Sequence, residues 1–324
     1  MTPTVTLCET ACAKINLYLR VGARRPDGFH DILTLMRGVS LSDTLTCTFQ
    51  KADETRVSVT VEDADAPLPA DEHNLAARGI LAVLTAAGET AAVTVRLQKR
   101  IPTAAGLGGG SSDAAAAMRA ANRWLGGRFS DTELERMAAA IGSDVPFFVT
   151  GQTALCSGRG ELLTPVPAAF DGACVILAGR EPSATAAAYA ALDAARHREA
   201  CDGSAPDTRK ENSHTAPVRK LCPVSDRTAE TQSQSTADTA VPPLPDFTRF
   251  SPADLYNDFE APVSRLCPSV PLHLAALREV GATAAAMSGS GSATFGLFPS
   301  LAEAESAAAS LRDKGFTVFA AALL

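Results

Sequence analysis

Residues 102–113 read Pro-Thr-Ala-Ala-Gly-Leu-Gly-Gly-Gly-Ser-Ser-Asp, and no other stretch narrows the possible folds as far. Four glycines (Gly106, Gly108, Gly109 and Gly110) fall within five positions, and an alanine-rich run follows at 114–117. Glycine lets the backbone reach φ > 0 and approach a ligand closely. The alanines favour a helix, whose first N–H groups lack intrahelical partners and carry the positive end of its dipole. Loop and helix start together suit a phosphate-sized anion. A glycine-rich turn capped by Ser111 or Ser112 is the plainer alternative for such a run taken alone.

A chain of 324 residues, 46% apolar, is long enough to bury two cores. It contains no apolar run as long as a membrane span. Lys14 and Asn16 interrupt the early apolar stretch, so no secretion signal is expected and the cytoplasm is the expected compartment. A net charge of −7 argues against general polyanion binding, nucleic acid included, so a phosphate site would have to be local. Eight cysteines without a C-x-x-C pair and five dispersed histidines point to reduced thiols and no zinc site.

Alternation of apolar and polar residues marks strands. Over 14–21, Ile15, Leu17, Leu19 and Val21 fall on one face and Lys14, Asn16, Tyr18 and Arg20 on the other, predicting a half-buried strand with a polar, functional face. Alternation returns at Leu45/Cys47/Phe49, Val57/Val59/Val61 and Val93/Val95/Leu97, with a helical pattern over 75–84. A helix is expected from the glycines to about Trp124, and Ser130 with Glu133 forms a capping box for another that ends near Gly142. Pro146 then introduces an apolar strand at 147–149 and leaves Asp144 on a turn at its surface end. In the second half the pattern gives a strand near 174–178, a loop and helix over 182–192 and a helix over 272–280. A strand pair at 284–298, a helix over 302–314 and a strand over 316–323 complete an α+β, ferredoxin-like layer. Residues 197–245, crowded with Ser, Thr, Asp, Arg, Lys, Gln and Pro, read as a disordered insertion too polar to offset its ordering entropy.

Three kinds of phosphate loop compete for residues 102–112. A Walker A loop needs a lysine after its glycines and none is present. A dinucleotide fingerprint fails at Ser111, and the stretch after it is helical instead of leading to a second strand. The pattern P-x-x-x-G-L-G-x-G-S-S resembles the nucleotide loop of the GHMP kinases. The N-terminal run Ala11-Cys12-Ala13-Lys14-Ile15-Asn16-Leu17 and the second glycine loop within 281–295 resemble two further motifs of that superfamily, in the same order. Residues 24–30 (Arg-Arg-Pro-Asp-Gly-Phe-His), 141–148, 158–161 and 257–260 are similar to the branch that acts on a cytidylated methylerythritol. Phe29 stands where that branch usually has tyrosine.

The resemblance implies an α+β, two-domain GHMP kinase fold. Residues 1–168 would form a ribosomal protein S5 domain 2-like, ATP-binding domain, and 169–324 a ferredoxin-like one. It implies a kinase that moves the γ-phosphoryl of ATP, with Mg²⁺, to the 2-hydroxyl of the methylerythritol moiety. Asp144 would be the base, and Lys14 would favour its ionised form and help align the hydroxyl. Pro102, Thr103, Ala104, Ala105, Gly106 and Leu107 would hold ATP together with Gly108, Gly109, Gly110, Ser111 and Ser112. Asn74 and Lys99 would touch the nucleotide, and Ser112, with Ser111 close behind, would be the Mg²⁺ ligand. Taken alone, Asp144 is a turn residue, Lys14 and Lys99 are exposed lysines, and Asn74 is a helix-start residue.

For the acceptor, the resemblance implies that Phe29 and Tyr189 sandwich the cytosine, with His30 reading its edge and Thr185 nearby. Asn16 would stand beside Lys14. Gly289, Ser290 and Gly291 would lie against the substrate diphosphate, although a tight hairpin accounts equally for those glycines. The expected partner is a small molecule, with neither nucleic acid nor membrane, and monomer and homodimer are both open. Two rivals remain at this stage: a GHMP kinase of homoserine or mevalonate type, and a nucleotide-binding regulator without catalysis.

Overall fold

In the computed structural model, residues 3–168, 170–179, 181, 184–201 and 244–324 are described, so most of the expected insertion, 202–243, lies outside the described residues. They form two sheets. The first runs in the order β3 (Arg56–Glu62), β4 (Ala91–Gln98), β2 (His30–Lys51), β1 (Val5–Arg24) and β8 (Tyr256–Asn257). Two short strands, β5 (Ala154–Ser157) and β6 (Leu162–Pro165), extend it from the first half of β2. Helices α1 (Leu75–Ala87), α2 (Gly109–Trp124), α3 (Asp131–Ala138) and α4 (Phe147–Thr150) follow in the same half of the chain.

The alternating residues Leu45, Cys47, Phe49, Val93, Val95 and Leu97 point to one side and pack with Ile80, Val83 and Leu84 of α1 and the alanines of α2. Each large side chain buried this way is worth about 1.5–3 kcal/mol. The alanines let α2 lie close on α1: a Cβ placed on Gly79 would be 2.4 Å from the Ala114 carbonyl oxygen.

The second sheet is antiparallel throughout, in the order β11 (Val318–Ala322), β7 (Ala173–Leu177), β10 (Thr294–Phe298) and β9 (Ala284–Met287). Its helices are α5 (Thr185–Cys201), α6 (Glu260–Leu266), α7 (Ser269–Glu279) and α8 (Leu301–Asp313). This is the expected ferredoxin-like succession of strands and helices. Along β7 the two faces divide cleanly. Ala173, Val175 and Leu177 meet α7 and α8, whereas Cys174 and Ile176 turn toward Ile15, Leu17, Val39 and Leu41 of the first sheet. A boundary at 168/169 therefore separates the sheets but not their core, and β8 crosses back to join the first sheet.

Four local expectations change. The strand over 14–21 is buried on both faces, with Lys14, Asn16 and Tyr18 at 3%, 1% and 1% exposure. A register shift between Asn16 and Tyr18 breaks its alternation, because the extra residue of a bulge reverses the parity of those that follow. Tyr18 thus joins Ile15 and Leu17 in the shared core, while Leu19 turns toward the cleft that Lys14 and Asn16 line. Residues 147–150 form a short helix rather than a strand, since Pro146 adopts helical angles (φ −55°, ψ −40°) and opens it. Helix α3 stops at Ala138, short of Gly142, although its capping box at Ser130 and Glu133 is present as expected. Helix α5 continues to Cys201, past the expected start of the insertion at 197.

Candidate active site

A cleft of about 1130 Å³ runs between the glycine loop, the middle of β1, the turn before α4 and the first turns of α5. The glycine loop forms one wall. Gly108 ends it in the left-handed region (φ +72°) and gives α2 no side-chain cap, so the first N–H groups of α2 are left for a ligand. Gly106 (φ +81°) is held by contact: a Cβ there would be 2.2 Å from the Ser288 carbonyl oxygen. The two glycine loops clasp each other at this point. Ser288 Oγ donates to the Gly106 carbonyl at 3.0 Å, and the Ala293 N–H donates to the Ala105 carbonyl at 3.1 Å.

Pro102, Thr103, Ala104, Ala105, Gly106, Gly108, Gly109, Gly110 and Ser111 line the cleft. Leu107 and Ser112 do not. Leu107 is a core residue whose carbonyl accepts the Lys14 N–H at 3.0 Å. Ser112 is buried, and its hydroxyl donates to the Cys12 carbonyl at 2.7 Å, because the helix begins at Gly109 and rotates residue 112 toward β1. The expectation of Ser112 as metal ligand therefore fails on direction, and Ser111 is the serine facing the cleft.

Lys14 reaches the same wall from β1. Its ammonium donates to the Gly106 carbonyl at 2.9 Å and to Asn16 Oδ1 at 2.5 Å, and stands 3.7 Å from Asp144 Oδ2. It is no exposed lysine. Burial lowers its pKa below the ordinary lysine value, and the Asp144 carboxylate works in the opposite direction. Asp144 keeps 32% of its side chain exposed, so a substrate can reach it. Asn16 is fixed by Thr34, whose hydroxyl accepts from Nδ2 at 2.8 Å and donates to the Tyr18 carbonyl.

Asn74 caps α1 through Oδ1 and donates from Nδ2 to the Pro69 carbonyl, so its role as a helix-start residue holds although it also lines the cleft. Lys99 is buried between Asp43 and Asp113 rather than exposed at a strand end.

At the far end, the His30 and Tyr189 rings stack 4.8 Å apart, and His30 Nε2 lies 2.9 Å from Asp193 Oδ1. Phe29 is 53% exposed, with the Arg159 guanidinium 5.2 Å above its ring. Tyr189 thus already carries His30 against one face, which the expected Phe29–Tyr189 sandwich did not foresee. Thr185 and Ser290 hydroxyls meet at 3.1 Å across the cleft. Gly289 and Ser290 line it, but Gly291 is buried against Met287 and Val263 and faces away.

Sequence reasoning passed over Thr34, Asp43 and Asp193, and it met Asn257 and Ser288 only as members of motifs, without a role for either side chain. Asn257 holds the second loop by donating to the Met287 and Gly289 carbonyls at 2.7 and 2.8 Å. Of the three passed over, only Asp193 carried a local signal, lying one helical turn from Tyr189.

The GHMP kinases N terminal domain family matches residues 74–152, and the GHMP kinases C terminal family matches 244–316. The cleft lies where these two regions meet. A 4-diphosphocytidyl-2-C-methyl-D-erythritol kinase of Gloeobacter violaceus is 37% identical over 311 residues, covering 95% of this chain and 91% of that protein. A crystal structure of 4-(cytidine 5'-diphospho)-2C-methyl-D-erythritol kinase superposes with a TM-score of 0.68 at 28% identity, over 98% of this chain and 99% of the other. A crystal structure of L. major mevalonate kinase shares the fold alone, with a TM-score of 0.64 at 12% identity over 100% of this chain and 98% of the other. The chain belongs to the GHMP kinases and, within them, to the 4-diphosphocytidyl-2-C-methyl-D-erythritol kinase family.

Proposed function

We propose that the chain transfers the γ-phosphoryl group of ATP to the 2-hydroxyl of 4-(cytidine 5′-diphospho)-2-C-methyl-D-erythritol. The observation that carries this is one juxtaposition. The Lys14 ammonium touches the nucleotide loop at Gly106 and stands 3.7 Å from Asp144, in the same cleft that the His30–Tyr189 cluster lines.

Phosphoryl transfer needs alignment, charge neutralisation and a base for the acceptor proton. Asp144 takes that proton as the acceptor oxygen bonds to phosphorus, and the bond from the γ-phosphorus to the bridging oxygen breaks to release ADP. Lys14 orients the acceptor oxygen, and Asn16 holds the ammonium in place. The main-chain N–H groups at the start of α2 bind phosphate oxygens, which the helix dipole favours. Mg²⁺ keeps most of its waters and needs few protein oxygens, and the Ser111 hydroxyl on the cleft wall fits that demand. Bound there, it would offset charge on the transferring phosphates. Among the described residues no cluster of three His, Cys, Asp or Glu side chains offers a stronger metal site. Phe29, Tyr189 and His30 receive the cytosine, and Thr185 with Ser290 and Gly289 lies along the diphosphate.

The test is ATP consumption with the cytidylated methylerythritol beside bare methylerythritol phosphate, homoserine and mevalonate. Turnover with the cytidylated acceptor alone is expected. Equal turnover with an acceptor lacking cytidine would remove the far end of the cleft from the account.

A further inference from the structure

Residues 102–113 contain no basic side chain, yet a lysine lies directly beneath them. The Lys99 ammonium donates to Asp43, on β2, and at 2.8 Å to Asp113, on α2. All three are buried, at 0% exposure for Asp43, 4% for Lys99 and 2% for Asp113, and Lys99 and Asp113 lie at the floor of the cleft. The second oxygen of Asp43 accepts the main-chain N–H groups of Arg100 at 2.5 Å and Ile101 at 2.8 Å. One carboxylate thus holds the chain just before Pro102, and the ammonium it binds reaches across to the residue just after Ser112. There is no slack between the two. A Cβ on Gly109 would lie 3.0 Å from Ile101 Cγ2 and 3.3 Å from Lys99 Nζ.

We infer that Asp43, Lys99 and Asp113 are positioning residues that clamp the two ends of the nucleotide loop, Lys99 serving the loop's shape rather than pairing with phosphate. The inference rests on reading the loop as the ATP site. Glycines impose little shape of their own, so a loop with four of them depends on anchors at its ends. Two carboxylates take two of the three N–H donors of the ammonium and neutralise its charge, which leaves it little to offer a phosphate. Burial acts to lower the Lys99 pKa, and Asp113 and Asp43 more than offset it, so the ammonium stays charged. Removing Asp113 leaves Lys99 paired with Asp43 alone and frees the α2 end of the loop.

Calorimetry with a non-hydrolysable ATP analogue separates this role from chemistry. In the full chain, Asp113→Leu should weaken analogue binding by about 10- to 100-fold, the scale of a small misplacement of a binding group. The KM for ATP should follow it while the KM for the cytidylated acceptor stays put. Asp113→Asn keeps an oxygen for Lys99 and should recover most of the affinity. Should Asp113→Leu not fold, the double change Lys99→Met with Asp113→Leu releases the same end of the loop and gives the same comparison. A lowered thermal midpoint with unchanged analogue affinity overturns the clamp, as does an equal rise of both KM values. If the wild-type chain binds the analogue but phosphorylates no cytidylated acceptor, the functional reading falls and the affinity comparison still decides the clamp.

Discussion

The two ends of the cleft are built from different materials. At the nucleotide end, Lys14 and Lys99 are each 4% exposed in their side chains and each has a carboxylate within 4 Å. Lys14 is held by the Gly106 carbonyl, Asn16 and Asp144, and Lys99 by Asp43 and Asp113. At the acceptor end, Phe29 is 53% exposed, Arg159 lies over it, and Asp193, the partner of His30, is 36% exposed in its side chain. The first end resembles an enzyme interior, with desolvated charges aimed before any substrate arrives. The second is an open shelf that gains its order from what it stacks on. Damage at Lys14 and Asp144 should therefore appear in kcat, damage at the Lys99 clamp in the KM for ATP, and damage to the second end in the acceptor's KM.

The strongest break is Asp144→Asn, which keeps the shape and removes the base. It should lower kcat by about 10²- to 10⁴-fold with little change in either KM, measured by steady-state kinetics. A near-normal kcat would mean that the buried end supplies alignment only. Phe29→Ala comes next. Loss of one stacking ring costs about 1–3 kcal/mol, a rise of roughly 5- to 150-fold in the acceptor's KM with that for ATP unmoved. If both rise together, Phe29 supports the fold and the contrast between the ends disappears.

The smallest effect is on Lys14 itself. Burial holds its pKa below the ordinary lysine value and Asp144 opposes that shift, so Asp144→Asn should move it further down. Between its folded pKa and its unfolded value, the unfolded chain binds the extra proton. Stability contributed through Lys14 thus rises with pH across that window and is lost as pH falls through the folded pKa. Nitrogen-15 NMR of the lysine side chains, in wild type and variant, reads the shift directly. A Lys14 resonance that moves upward on losing Asp144 would contradict the assigned pairing.

Strands, helices and both glycine loops were largely legible in the sequence because their signals are local: alternation, a capping box, runs of glycine. What escaped were relations between distant residues. Nothing near Lys99 announces that it is buried, since Asp43 lies 56 positions away and meets it only when β2 pairs with β4. The bulge at Leu17 is invisible to a count by twos, so Tyr18 and Leu19 were assigned to the wrong faces. Ser112 was placed in the cleft because a helix start cannot be located to one residue from glycines alone, and a step of one residue turns a side chain by about 100°. The His30–Tyr189 stack joins β2 to α5 across almost half the chain.

The core cluster that Ile15, Leu17 and Tyr18 share with Cys174, Ile176 and Phe295 has a mechanical consequence. Two lobes that rotate about a hinge must part along a seam that tolerates water, and here the seam is a buried apolar layer. Swinging the sheets apart would wet aliphatic and aromatic surface on both. Whatever adjustment accompanies catalysis is thereby confined to the rim, where Phe29, Arg159 and the first turn of α5 border solvent, while the floor under Lys14 stays fixed.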